Sequence, residues 1–264
     1  MKPLTINDLK AMKRDGVPIS VLTAYDTLLA GLIDNAGIDM ILVGDSLANV
    51  FQGKKTTIPV TLDEMIYHGE IVVRSVKRAF VVVDMPFMTY QVSPSEALRN
   101  AGRILKETGC QAVKVEGGVH MHDTIRAIVN AGIPVIGHIG LTPQSIHSFG
   151  GFGVRGRDNT ESLAEDARAV DDAGASAVVI EKIPHSLAER ITADLSIPTI
   201  GIGAGSGCDG QVLVTTDILG YTPEFNPKFV RKYASLADII SQALIDYRDD
   251  VKARRFPSID ESYE

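Results

Sequence analysis

Short runs that are apolar at consecutive positions recur along the chain, separated by stretches with apolar residues every three or four positions. Met40–Val43, Ala112–Val115, Pro134–Gly137 and Ala177–Ile180 are four such runs. Continuous apolarity, rather than strict alternation, suits parallel strands covered on both faces. Each run follows a small-residue stop: Ala36-Gly37-Ile38, Thr108-Gly109-Cys110, Ala131-Gly132-Ile133 and Ala173-Gly174-Ala175. A glycine just past a helix end takes the left-handed conformation at little steric cost. The stretches before the stops carry helix signals. In Ser93-Pro94-Ser95-Glu96 a capping serine precedes proline at the first helical position, with glutamate three residues on. Ala97, Ala101, Ile104 and Leu105 then share one helical face, as do Leu163, Ala167 and Val170.

Four further apolar runs, Ser20–Ala24, Phe80–Val83, Pro198–Ile202 and Gln211–Thr215, bring the predicted strands to eight within 264 residues. Strands interleaved with helices in that number predict an α/β fold, a closed (β/α)8 TIM barrel rather than an open sheet. A helix over Thr5–Arg14 is expected before the first strand, across the bottom of the barrel. A last helix is expected over Phe229–Tyr247, followed by a loose acidic tail after Pro257. No break in composition marks a boundary, so a single catalytic domain over 1–264 is expected.

Composition narrows the functional classes. Hydrophobic residues make up 45% of the chain and charged ones 22%, enough to build a core and ordinary for a globular protein. The formal net charge of −7 disfavours nucleic acid and anionic membrane as partners, since both demand clustered positive charge. The two cysteines, Cys110 and Cys208, form no metal or redox motif. The segment Met1–Asp8 lacks the apolar core of a signal peptide, and no apolar run reaches the ~18 residues of a membrane span. A cytoplasmic location is the expectation.

Barrel chemistry lies at the C-terminal ends of the strands. Here those ends are acidic: Met40–Val43 leads into Gly44-Asp45-Ser46, Phe80–Val83 into Asp84, Ala112–Val115 into Glu116, and Ala177–Ile180 into Glu181. Several carboxylates at one mouth repel one another unless a cation offsets them. Asp45, Asp84 and Glu116 supply hard oxygen ligands from three consecutive strands, a set that suits Mg2+ with positions left for substrate oxygens. Lys114 stands two residues before Glu116, so strand alternation puts both on the inward face, where the ammonium can meet a substrate carboxylate or enolate oxygen.

Simpler readings stand beside these. Asp45 alone could cap a helix. Lys114 could simply neutralise Glu116, and Glu181 could pair with Arg190 or Lys182. His138, at the end of the fifth strand, fits a structural role as well as a substrate contact. Convergence of four acids on one mouth favours chemistry over capping. Two other signals carry little. Gly205–Gly210 has the GxGxxG spacing, but a strand rather than a helix is expected after it. His120 and His122 point apart on a helix. The glycine-rich stretch Thr142–Asp158 is long for a βα loop and is expected to act as a lid.

Taken in order, these residues resemble the ketopantoate hydroxymethyltransferase (3-methyl-2-oxobutanoate hydroxymethyltransferase) family. The likeness runs from Thr23-Ala24-Tyr25-Asp26 to Asp217. It is carried by Leu42-Val43-Gly44-Asp45-Ser46, Asp84-Met85-Pro86-Phe87-Met88, Val113-Lys114-Val115-Glu116-Gly117-Gly118, Gly137-His138-Ile139-Gly140-Leu141-Thr142-Pro143-Gln144, Glu181, and Ile200-Gly201-Ile202-Gly203-Ala204-Gly205. The resemblance implies transfer of a one-carbon unit from 5,10-methylenetetrahydrofolate to 2-oxoisovalerate, giving ketopantoate for pantothenate biosynthesis. It implies Mg2+ on Asp45, Asp84 and Glu116, substrate contacts from Asp45, Ser46, Asp84 and Lys114, Glu181 as proton acceptor, and a homodecamer. Ala48-Asn49, Arg155 and Lys182 depart from the family pattern. The alternatives are an enolate enzyme of the phosphoenolpyruvate mutase and isocitrate lyase kind, whose Lys-Arg-Cys-Gly-His motif is absent, and a non-catalytic barrel, which would leave gaps in the acid set.

Overall fold

The computed structural model describes residues 2–157 and 159–264. Eight parallel strands close into a barrel in chain order: β1 (Ile19–Thr23), β2 (Met40–Val43), β3 (Phe80–Asp84), β4 (Ala112–Glu116), β5 (Val135–Gly140), β6 (Ala177–Glu181), β7 (Thr199–Ile202) and β8 (Gly210–Leu213), with β8 pairing back to β1. All eight predicted strands are present. The clearest shift is in β5, which runs on to Gly140 and so takes His138 into the sheet.

Two apolar cores hold this arrangement. Outward-facing strand residues such as Val81, Val113 and Ile180 pack against the surrounding helices. Inward-facing residues, among them Ile19, Val21, Met40, Phe80, Val82, Ala112, Ile136, Ala177, Val179, Ile200 and Val212, fill the lower interior together with Leu9. Leu9 lies on the helix Ile6–Arg14, which therefore plugs the bottom as expected. A capping box at Thr5 and Asp8 starts that helix. Its flanks are tied to segments that enter strands. Leu4 N–H donates to the Arg78 carbonyl (2.8 Å), Gln111 Nε2 to the Leu4 carbonyl (3.0 Å), and Lys13 Nζ to Asp209 Oδ2 (2.8 Å). Leu9→Ala is expected to cost about 2–5 kcal/mol in urea unfolding, because it opens a cavity in a site that cannot easily collapse.

The inward column of each strand explains how the site arises. Side chains alternate across a strand, so residues 80, 82 and 84 of β3 face the interior, as do 112, 114 and 116 of β4, 136 and 138 of β5, and 177, 179 and 181 of β6. Each column begins apolar at the floor and ends polar at the mouth. Register aligns the ends: Asp84 pairs with Lys114, Glu116 with His138, and Gly140 with Glu181.

The chain clusters into two compact units, Met1–Val214 and Thr215–Glu264. Both apolar cores draw their buried residues from positions up to Val212, which is why the barrel forms a unit by itself. In the second unit the long helix runs Leu236–Lys252, later than the expected Phe229–Tyr247, and none of its residues is buried. The end of the chain adds a short 3-10 turn, Ile259–Glu261, where a loose tail was expected. Among the described residues no helix is long and apolar enough to cross a membrane.

Candidate active site

Asp45, Asp84, Lys114, Glu116 and His138 are all buried at one end of the barrel interior, between 2% and 5% exposed. Burial of that many charges is costly unless they compensate one another. Lys114 Nζ lies 3.0 Å from Asp84 Oδ1 and 3.8 Å from Glu116 Oε1. The His138 ring is flanked by two acids, with Nδ1 3.3 Å from Glu116 Oε1 and Nε2 3.3 Å from Glu181 Oε2. Glu181 thus faces His138, while Arg190 pairs with Glu161 instead.

Asp45 follows β2 at a tight turn. A Cβ on Gly44 would stand 2.7 Å from Ser46 Oγ, so a larger residue here would require the Ser46 side chain to move. The turn aims the Asp45 backbone N–H at Asp84 Oδ2 (3.0 Å), while its carboxylate accepts from Gln144 Nε2 (3.0 Å). The following helix, Leu47–Val50, has Ser46 at its N-cap position and no side-chain cap, which removes the capping reading of Asp45. Ser46 Oγ is hydrogen-bonded to the buried Tyr25 hydroxyl at 2.8 Å.

These surroundings shift the protonation of the cluster. Burial, reinforced by the charges of Asp84 and Glu116, pushes the Asp45 carboxyl up to about 7. Burial likewise raises Asp84, against the pull of Lys114. Glu116 moves down: burial opposes ionisation, but His138, Lys114 and the Gln144 backbone N–H outweigh it. Burial and Lys114 would depress His138, yet Glu116 and Glu181 on either side raise it to about 9. Lys114 is held protonated by Asp84, Glu116 and Asp45 despite its burial.

With all four ionised, Asp45, Asp84, Glu116 and Glu181 outnumber the cations Lys114 and His138 by two, a deficit that one divalent cation would offset. Asp84 Oδ1 and Glu116 Oε1 are buried without a hydrogen bond of good geometry. Among the described residues no three His, Cys, Asp or Glu side chains close on one ligating point, and Lys114 is the cation that Asp84 and Glu116 face. The donor set, carboxylate oxygens alone, nevertheless fits Mg2+ better than a softer metal.

Several contributors escaped the sequence reading. Gln144, on the 3-10 turn Pro143–Ser145, and Tyr90 are both buried and hydrogen-bonded into the acid cluster. Gln144 stood inside a quoted motif, but nothing local signalled that its side chain turns inward. The expected lid holds the turn at Pro143–Ser145 and a helix over Ile146–Phe149; its last residue, Asp158, lies outside the described residues. Arg155 lies 4.1 Å over the Phe149 ring, and its N–H donates to the Lys182 carbonyl (2.8 Å). The Arg155 bond is main-chain, whereas Lys182 Nζ donates to the Phe152 carbonyl (2.8 Å), so of the two departures it is the Lys182 side chain that ties this loop to the end of β6. A cavity of about 330 Å3 opens beside it, lined in part by Gly117, Gly140, Thr142, Phe149 and Arg155. Gly205–Gly210 forms a turn that enters β8, without a helix behind it, and His120 is exposed on a short turn before the next helix.

A family profile described as ketopantoate hydroxymethyltransferase matches residues 3–259. The chain belongs to the ketopantoate hydroxymethyltransferase family. A protein of Chlorobium phaeobacteroides named 3-methyl-2-oxobutanoate hydroxymethyltransferase is 57% identical, covering 98% of this chain and 96% of that protein. One of the same name from Syntrophomonas wolfei is 55% identical, covering 98% and 94%. Members of this family are enzymes of the transferase class. Among solved structures, phosphonopyruvate hydrolase in complex with oxalate and Mg++ matches with a TM-score of 0.64 at 13% identity, covering 98% of this chain and 93% of that one. A 2,3-dimethylmalate lyase, described as a PEP mutase/isocitrate lyase superfamily member, matches with a TM-score of 0.60 at 18% identity, covering 99% and 92%. At such identities the likeness speaks to the barrel fold alone.

Proposed function

We propose that this chain is a 3-methyl-2-oxobutanoate hydroxymethyltransferase. It would transfer the methylene carbon of 5,10-methylenetetrahydrofolate to Cβ of 2-oxoisovalerate, with one water supplying the hydroxyl oxygen, and release ketopantoate for pantothenate biosynthesis together with tetrahydrofolate. The observation that carries this reading is the convergence of Asp45, Asp84, Glu116 and Lys114 on one end of the barrel interior, with Glu181 beside them.

Asp45, Asp84 and Glu116 would hold Mg2+, which when bound draws electron density from the keto oxygen of the acid and so makes its Cβ proton easier to remove. Lys114 and Ser46 would orient the carboxylate and keto oxygens of the substrate, the former as a buried, fully charged donor. Glu181 is the acid best suited to accept the Cβ proton. Its side chain is 15% exposed, against 3% for Asp84 and Glu116, and Lys114 does not neutralise it. His138, held protonated between Glu116 and Glu181, keeps Glu181 aimed at the barrel interior. Burial of the acid cluster limits access of water to the carbanion-like species that the proton transfer creates.

The test is formation of ketopantoate from 2-oxoisovalerate, with and without methylenetetrahydrofolate and with and without a chelator. Product is expected only when donor and divalent cation are both present. Turnover of the oxo acid without donor would instead favour enolate chemistry of the mutase and lyase kind. Residence in the cytoplasm and assembly into a homodecamer belong to the same proposal; sedimentation of the purified protein checks the latter.

A further inference from the structure

Gln144 is 4% exposed and sits between two acids that approach it from different strands. Its Oε1 accepts from the Tyr90 hydroxyl (2.6 Å) and from Gln91 Nε2 (3.0 Å). Its Nε2 donates to Asp45 Oδ2 and to the Met85 carbonyl, both at 3.0 Å. Its backbone N–H donates to Glu116 Oε2, also at 3.0 Å. The carboxamide is thus saturated, and it bridges two carboxylates that lie far apart in sequence.

Chemistry sets which way the amide points. The two ends of a carboxamide have the same shape, so only their partners distinguish them. The Tyr90 oxygen accepts from the Glu116 backbone N–H (3.2 Å), which leaves its single proton for Gln144. The Met85 carbonyl can only accept, so the Gln144 NH2 must face it and the neighbouring Asp45, and the Gln144 oxygen must face Tyr90. A directed chain of donors runs from Glu116 N–H through the Tyr90 hydroxyl and the Gln144 amide to Asp45. The turn returns a second donor, the Gln144 backbone N–H, to the Glu116 carboxylate.

We propose that Gln144 is a positioning residue whose amide, polarised by Tyr90, holds the Asp45 carboxylate at the angle to Glu116 that receives the divalent cation. This rests on the metal reading above. A role in packing alone would require only volume, whereas this one requires a donor at one end of the side chain and an acceptor at the other. Groups that orient ligating side chains commonly alter metal affinity when removed.

The experiment measures Mn2+ binding to the full-length protein by electron paramagnetic resonance, for wild type, Gln144→Met and Tyr90→Phe. Each is held well below its own melting temperature, so that loss of fold does not enter. Gln144→Met keeps the length of the side chain and removes both polar ends; its Mn2+ dissociation constant is expected to rise about tenfold or more. Tyr90→Phe removes one of the two donors to the amide oxygen; a rise of roughly threefold is expected, in the range of a single neutral hydrogen bond. Unchanged affinity in Gln144→Met overturns the proposal, even if that variant melts earlier. Should Gln144→Met fail to fold, unchanged affinity in Tyr90→Phe overturns it equally. A wild-type protein that binds no Mn2+ sinks the metal assignment and this proposal with it, whereas wild-type binding with unaffected variants sinks this proposal alone.

Discussion

Replacing Glu181 with glutamine is expected to slow exchange of the Cβ proton of 2-oxoisovalerate with D2O by about a thousandfold, within the usual range for losing a general base. Affinity for the oxo acid should change little. Glutamine keeps the shape of the side chain and an oxygen that can accept from His138 Nε2, 3.3 Å away in the wild type, but it cannot take up a proton at neutral pH. Ser46 and Lys114, the groups proposed to orient the substrate, are not in the contact that changes. The measurement is the Cβ proton signal by NMR in D2O with Mg2+ and without the one-carbon donor, which separates proton removal from group transfer. Exchange at the wild-type rate would show that the base lies elsewhere. Loss of exchange together with loss of substrate binding would assign Glu181 to substrate positioning instead.

Lys114→Met is the variant expected to damage the fold most. The ammonium is buried between Asp84 (3.0 Å) and Glu116 (3.8 Å), and its removal leaves a cluster of carboxylates with His138 as the remaining facing cation. Breaking a buried ion pair by deleting one partner costs about 3–5 kcal/mol, because the other charge stays behind uncompensated. That loss is expected in urea unfolding at neutral pH in a chelating buffer. Mg2+ should restore part of it, since a ligand that binds only the folded state stabilises it.

The pH dependence has a definite sign. Asp45 already has its folded value raised from 3.8 to about 7, so its protonated form is favoured by folding, and the stability it contributes is lost as pH rises through that window. Without Lys114 the carboxylates hold protons more tightly still. The deficit of Lys114→Met relative to wild type should therefore shrink toward low pH and widen toward neutrality. A deficit below about 1 kcal/mol, indifferent to pH and to Mg2+, would mean that Lys114 is not what balances the cluster.

Much of this protein can be read from residue order because the relevant periods are local. The two-residue pleat puts Lys114 and Glu116 on one face of β4 wherever that strand lies. Apolar runs after glycine stops mark the strands, and Thr5 with Asp8 marks the start of the helix that plugs the barrel. The acids at the ends of β3, β4 and β6, and Asp45 just past β2, followed from the same pattern. It could not tell a cap from a ligand at Asp45, nor a structural role from a functional one at His138. Those answers depend on partners distant along the chain. Asp45 meets an amide 99 residues away, and His138 stands between acids of the strands on either side because β4, β5 and β6 pair in one particular register. Gln144 and Tyr90 were missed for the same reason, since burial of a polar side chain arises only when the barrel closes. Local alternation decides which way a side chain leaves its own strand; what it meets there is decided by closure and register, which no short stretch of sequence contains.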